Sequence, residues 1–211
     1  MAATGSDSVL LLIDVQNDFC PGGNLAVESG DEVVPVINRI MPSFSRVIAT
    51  QDWHPPDHVS FASSHPGRRP LDVVEADGIE QVLWPDHCVQ GTRGAELHPR
   101  LNPGRIGLLL RKGMRRGLDS YSAFFENDHR TDTSLRHFLK GMKLRELFIC
   151  GLATDYCVLA SALDARRLGF RVTLVRDACR GVDFPKGGIE KAIAAMQKAG
   201  VRMTESATLS G

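Results

Sequence analysis

Short apolar runs, each closed by a polar residue or a glycine, recur along the chain with helix-like stretches between them. Residues 9–13 (VLLLI) lead to Asp14, 46–51 (RVIATQ) to Asp52, 106–111 (IGLLLR) to Lys112, and 144–150 to Gly151. Continuous apolar strands, without in-and-out alternation, belong to parallel sheets buried on both faces. Alternation with helices is the α/β pattern. Over 31–41, Val33, Val34, Ile37 and Ile40 recur at helical spacing. Further helices are expected over 135–142, 153–168, where Gly169 is the stop, and 189–199, with further strands over 171–176 and 201–204. The expectation is an α/β fold: a doubly wound, mostly parallel six-stranded sheet with helices on both faces. At 211 residues, a single domain over 1–211 has volume for a well-filled core.

One region breaks the alternation. Residues 52–103 are too long for an ordinary connection and carry Pro55, Pro56, Pro66, Pro70, Pro85 and Pro99. Such loops in compact domains are functional or disordered, and the two tryptophans and several histidines here favour function. Formal net charge is zero, which gives no basic surface for nucleic acid. No apolar stretch approaches the roughly 20 residues that span a bilayer. The polar start MAATGSDS lacks the pattern of a signal peptide. Five cysteines without a CxxC pair read as reduced thiols, and a cytoplasmic location is expected.

In an open α/β sheet, ligands bind outside the carboxyl ends of the strands, and that is where Asp14, Asp52, Lys112 and the segment GLATDYCV fall. If a helix starts near Thr154 as N-cap, Cys157 lies in its first turn. Free N–H groups and the helix dipole there favour a thiolate and offer an oxyanion hole. A small buried hydrophobe is the other reading of Cys157, whereas Cys20, Cys88, Cys150 and Cys179 lack such placement. Asp14 can take a thiol proton and return it to a departing amine, or simply cap a turn. Lys112 would lower the pKa of both, unless it is an ordinary solvated lysine. Individually weak, the three persuade as a set.

Asp52 and His54, two apart in an extended segment, can face one ion together with His87. Oxygen plus imidazole donors suit zinc, iron(II) or manganese, and three protein ligands leave positions open for water or substrate. His58 is a candidate fourth ligand, while His65 and His98 read as solvated. A polar loop is the alternative reading of DxH alone.

The runs LLIDVQNDFCPGGNLAV, ATQDWHPPDHVSFA, VLWPDHCVQGTRGAEL, RKGM…LDSYSAFF and ICGLATDYCVLASALDA resemble, in order, the nicotinamidases of the isochorismatase-like hydrolase superfamily. The resemblance implies a catalytic triad of Asp14, Lys112 and Cys157. It implies a divalent metal, zinc first with iron or manganese as alternatives, on Asp52, His54 and His87. It further implies an oxyanion hole from the N–H groups of Ala153 and Cys157 and a cis peptide between Leu152 and Ala153. Phe19, Trp84, Gln16 and Tyr121 match pocket positions, with core packing the alternative for the three aromatics. The implied reaction converts nicotinamide, and by extension pyrazinamide, to the acid and ammonia through a thioester, in NAD salvage. The partner is then a small-molecule substrate, with no nucleic acid or membrane, and a homo-oligomer stays open. The competing readings are an N-carbamoyl or ureido amidohydrolase of the same superfamily, disfavoured by the metal set, and a non-catalytic metal-binding module. An isochorismatase proper is disfavoured because this chain retains the cysteine.

Overall fold

A computed structural model describes residues 5–209; the first four residues of the polar start, and the last two of the chain, lie outside it. Strands β1 (Ser8–Ile13), β2 (Val47–Asp52), β5 (Leu108–Lys112), β6 (Glu146–Leu152), β7 (Arg171–Arg180) and β8 (Arg202–Thr204) form one sheet in the order β5-β2-β1-β6-β7-β8. Every neighbouring pair is parallel. Helices α1 (Val33–Ile40), α2 (Leu135–Gly141), α3 (Leu159–Arg167) and α4 (Gly188–Lys198) occupy the connections. The six expected strands and four helices all form, with boundaries shifted by a few residues.

Patterning explains the layers. All six residues of β1 are buried, as its unbroken apolar run requires of a central strand. At the sheet edge, β5 alternates between half-buried and exposed positions before ending on buried Lys112. Helix α1 buries Val33, Val34, Ile37 and Ile40, the expected apolar face. No helix among the described residues is long and apolar enough to cross a membrane.

Topology then positions the site. From β1 the chain moves to β2 on one side, and it later returns to place β6 on the other side of β1. Right-handed crossovers moving in opposite directions put their helices on opposite faces. The two courses part between β1 and β6, and the crevice at the carboxyl ends of such a pair is the usual ligand site. Asp14 follows β1 and Cys157 follows β6 after a five-residue approach.

Two local departures from expectation have clear causes. First, 52–103 is not wholly irregular: β3 (Val73–Ala76) and β4 (Ile79–Val82) form an antiparallel hairpin. Asp77 and Gly78 at its tip both have positive φ, 48° and 79°, the requirement of a type I′ turn and the usual role of an Asp-Gly pair. Second, Thr154 is not an N-cap. The helix opens as a wide π-turn over Thr154–Val158, after extended Ala153, with the Val158 N–H donating to the Ala153 carbonyl at 3.1 Å. Cys157 still lies in the first turn. The Leu152–Ala153 peptide is cis, as the resemblance implied.

Gly151 lets β6 touch β1 at this point. Its φ is +119°, and a Cβ there would stand 2.1 Å from the Ile13 carbonyl oxygen. Gly151→Ala is expected to destabilise the fold by about 2–5 kcal/mol through backbone strain and steric overlap together. Gly141→Ala, at the open end of α2, is expected to be neutral or to stabilise by up to about 1 kcal/mol. Urea unfolding of both variants checks the contrast, and equal effects would contradict it.

Candidate active site

Lys112 reaches into the crevice as a buried ammonium, 2% exposed. Its Nζ lies 2.5 Å from Asp52 Oδ1 and 2.9 Å from Asp14 Oδ2, donates to the Ser120 carbonyl at 2.7 Å, and stands 3.6 Å from Cys157 Sγ. Three strands and the α3 approach thus converge on one cation. Carboxylate oxygens of Asp14 and Asp52 and the Cys157 sulfur all lie within 4.8 Å of one another. Asp14 occupies the left-handed region at φ 46°, a conformation few non-glycine residues adopt. Thr50 holds it there: its hydroxyl accepts the Asp14 N–H at 3.1 Å and donates to Asp14 Oδ1 at 2.6 Å.

The charge state differs from the sequence expectation. Burial raises the Asp14 pKa to about 6, although Lys112 pulls it down. Burial likewise pushes the Cys157 thiol well above its ordinary value; Lys112 opposes the shift, and Asp14 and Asp52 reinforce it. Two carboxylates already share one ammonium, so a thiolate would add a second uncompensated negative charge. A neutral thiol beside a carboxylate ready to accept its proton is the resting arrangement these charges favour. Asp52 is held ionised, because Lys112, His54 and His87 together outweigh its burial.

A second cluster adjoins the first through Asp52. One ligand atom each from Asp52, His54 and His87 lies within 4.8 Å of the other two, and all three residues are buried. The Nδ1 atoms of His54 and His87 face the Gly113 and Pro85 carbonyls at 2.8 Å each, which orients the rings and leaves each Nε2 for a ligand. Gly113 has to be glycine, since a Cβ would stand 2.4 Å from the His54 ring. Burial and the neighbouring His54 hold His87 and His58 near pKa 4, hence neutral, as metal ligation requires. His54 is raised instead: Asp52 more than offsets its burial. A buried carboxylate–imidazole set with fixed tautomers and free Nε2 atoms fits a divalent ion. His58 stacks on His54 at 4.1 Å, with its Nδ1 2.7 Å from the Ser60 hydroxyl. His65 lies apart, its Nε2 2.8 Å from the Val59 carbonyl.

A cavity joins the two clusters. Phe19, Trp84, Tyr121, Ala153, Asp52, His87 and Cys157 line it, together with Leu25, Asp119, Tyr156 and Val182. Trp84 Nε1 donates to the Tyr121 hydroxyl at 3.1 Å, and Tyr156 meets both rings edge-on. Gln16 does not line the cavity. Its amide is committed to the backbone of Asp52 and to the Ala95 carbonyl, tying the ends of β1 and β2 to the 95 loop. All five cysteines are free and buried, and only Cys157 lines this cavity.

The isochorismatase domain matches residues 8–208. The chain belongs to this family. It is 47% identical over 198 residues to the nicotinamidase of Escherichia coli, covering 92% of each chain. It is 44% identical over 201 residues to that of Acinetobacter baylyi, covering 95% of this chain and 94% of the relative. Among solved structures, an Acinetobacter baumanii nicotinamidase/pyrazinamidase superposes with TM-score 0.95 at 47% identity, covering 98% and 99% of the two chains. An L. infantum protein in complex with nicotinate gives 0.84 at 38%, covering 97% and 96%. A zinc-bound pyrazinamidase of Pyrococcus horikoshii gives 0.77 at 33%, covering 94% and 99%.

Sequence reasoning missed Asp119, Tyr156, Leu25 and Val182 in the cavity wall. The first two lie inside the runs LDSYSAFF and TDYC that carry the family resemblance, and that adjacency is the one signal available for them. Leu25 shares that signal, lying inside the run LLIDVQNDFCPGGNLAV, whereas Val182 is an apolar loop residue outside the runs and carries none. Lys112→Met would leave Asp14 and Asp52 without their shared cation. It is expected to destabilise the metal-free protein by about 3–5 kcal/mol at neutral pH, the usual consequence of breaking a buried ion pair. Adding Asp52→Asn should recover part of the loss. Urea unfolding in chelator measures both, and a loss under about 1 kcal/mol would contradict the role given to the ammonium.

Proposed function

We propose that this chain is a nicotinamidase, an amidohydrolase that converts nicotinamide and water to nicotinate and ammonia through a thioester on Cys157. The observation that carries the reading is a junction: the Cys157 thiol, with the acid–base carboxylate of Asp14 buried beside it, and Asp52 and His87 of the ion-competent cluster open into one aromatic cavity. In this reading Phe19, Trp84 and Tyr121 take the flat ring and orient the carboxamide over Cys157. Asp14 accepts the thiol proton as Sγ attacks the amide carbon, and its pKa of about 6 suits exchange near neutrality. The Ala153 and Cys157 N–H groups receive the oxyanion, each such donor being worth about 3 kcal/mol. Asp14 then returns the proton to the departing ammonia, and a water deprotonated by Asp14 hydrolyses the thioester. Lys112 keeps Asp14 and Asp52 together throughout.

Asp52, His54 and His87 would hold the divalent ion, zinc by preference, with iron or manganese as alternatives. When bound, that ion supplies a coordination site and a positive charge beside the ring-binding wall. The zinc in the archaeal relative and the nicotinate in the L. infantum complex support a metal and a pyridine acid as ligands of this cavity. The ion that the histidine cluster would hold favours a pyridine amide over a carbamoyl or ureido substrate, because its open coordination position would offer a ring nitrogen a partner. Nicotinate formation suits a role in NAD salvage, and the free thiols suit a cytoplasmic setting; pyrazinamide, which keeps a ring nitrogen, should be a further substrate.

Two sets of variants test this. Cys157→Ala is expected to lower ammonia release from nicotinamide at least ~10³-fold while nicotinamide binding by calorimetry persists; substantial residual turnover would refute the nucleophile. His54→Ala and His87→Ala should each lose bound metal by elemental analysis, whereas His65→Ala keeps it. Full occupancy without His87 would refute the ligand set.

A further inference from the structure

Asp119 has no part in the scheme above, yet its surroundings are unusual for a carboxylate. It is 3% exposed and lines the cavity. Unlike Asp14 and Asp52, it forms no ion pair with a lysine or arginine among the described residues. Its Oδ1 accepts the Ser120 N–H at 2.8 Å, and its Oδ2 accepts from Gln81 Nε2 at 3.0 Å. Gln81, itself 2% exposed, comes from β4 of the inserted hairpin and also donates to the Val82 carbonyl. Beyond these donors, two imidazoles stand beside Asp119. One ligand atom each of His54, His58 and Asp119 lies within 4.8 Å of the other two, so His54 belongs to this trio and to the trio with Asp52 and His87.

Charge gives the trio a meaning. Asp14, Asp52 and Asp119 are three buried carboxylates, and the one ammonium beside the first two leaves a formal surplus of two negative charges across the joined clusters. A divalent cation balances that surplus, whereas without Asp119 the loaded site would carry net positive charge. We propose that Asp119, oriented by Gln81, is a second carboxylate of the divalent-cation site that positions the ion or its bound water from the His54–His58 side. The inference rests on the metal site proposed above. It also gives the β3–β4 hairpin a task, since that insertion delivers the amide that fixes the carboxylate.

A purely structural Asp119 would organise its turn through the Ser120 N–H, and its loss would weaken the fold with or without metal. The cation-site role has the opposite sign in the metal-free protein. Asp119→Asn keeps the shape and an acceptor oxygen but removes a like charge from beside the other carboxylates. The full chain, stripped by chelator and titrated with zinc against a competing chromophoric chelator, is compared with Asp119→Asn, Asp119→Glu, Gln81→Leu and His87→Ala. Expected is at least a ~10-fold loss of zinc affinity in Asp119→Asn, partial rescue in Asp119→Glu and a smaller loss in Gln81→Leu. Metal-free thermal stability of Asp119→Asn should be equal to or above that of the parent. Zinc affinity within twofold of the parent, or a fall in metal-free stability that accounts for the weaker binding, would overturn the proposal. If His87→Ala loses zinc while Asp119→Asn does not, this inference alone fails; if the parent binds no zinc, the metal site fails with it.

Discussion

One buried ammonium organises this structure. A lysine removed from water is unfavourable unless its charge is matched and its donors are used, and Lys112 meets both conditions within 3 Å: two carboxylates and a backbone carbonyl. The two carboxylates come from the ends of β1 and β2, close to β5 in the sheet but at least 60 positions from Lys112 in the chain, and the carbonyl comes from the loop after β5. The ion-pair cluster can exist only when β1, β2 and β5 have paired in register and the Ser120 turn has closed. The geometry of the candidate site and the sheet pairing therefore form together, and the sulfur of Cys157 is set 3.6 Å from the shared cation.

Asp52 extends that organisation into the second cluster. Its Oδ1 faces Lys112 while its Oδ2 lies 3.7 Å from His54 Nε2, so one carboxylate belongs to both the thiol side and the imidazole side. A change at either side is transmitted to the other through its charge. The same sharing explains why the thiol is not ionised at rest: Lys112 is already committed to two carboxylates, and burial dominates what remains. In the proposed mechanism, proton transfer to Asp14 then accompanies attack rather than preceding it.

Much of this was legible in the sequence because the physics behind it is local. Unbroken apolar runs such as VLLLI announce central parallel strands, and the polar residue that closes a strand marks its carboxyl end, so Asp14, Asp52 and Lys112 fall on one edge of the sheet. The Asp77-Gly78 turn is equally local, and the proline-rich stretch around it masks it. Other features depend on long-range partners and had no local signature. Gln16 sits beside a catalytic-type motif yet serves only backbone, because the 95 loop happens to pass it. Asp119 gains its place from Gln81 and from imidazoles more than fifty positions earlier, a juxtaposition that no spacing rule contains. The helix start at Thr154 differs in kind: an α-helix and a π-turn share their sequence preferences over five residues, and tertiary packing decides between them.

The central claim is that Lys112 gathers thiol and carboxylate so that the amide is cleaved through an acyl group on Cys157. Partitioning with an added nucleophile tests it most directly. With hydroxylamine present during nicotinamide turnover, a thioester divides between water and hydroxylamine, so nicotinohydroxamate should form in proportion to hydroxylamine concentration while nicotinate falls correspondingly, and Cys157→Ala should form neither. Nicotinate as sole product at every hydroxylamine concentration, or hydroxamate formation that survives loss of Cys157, would contradict the account.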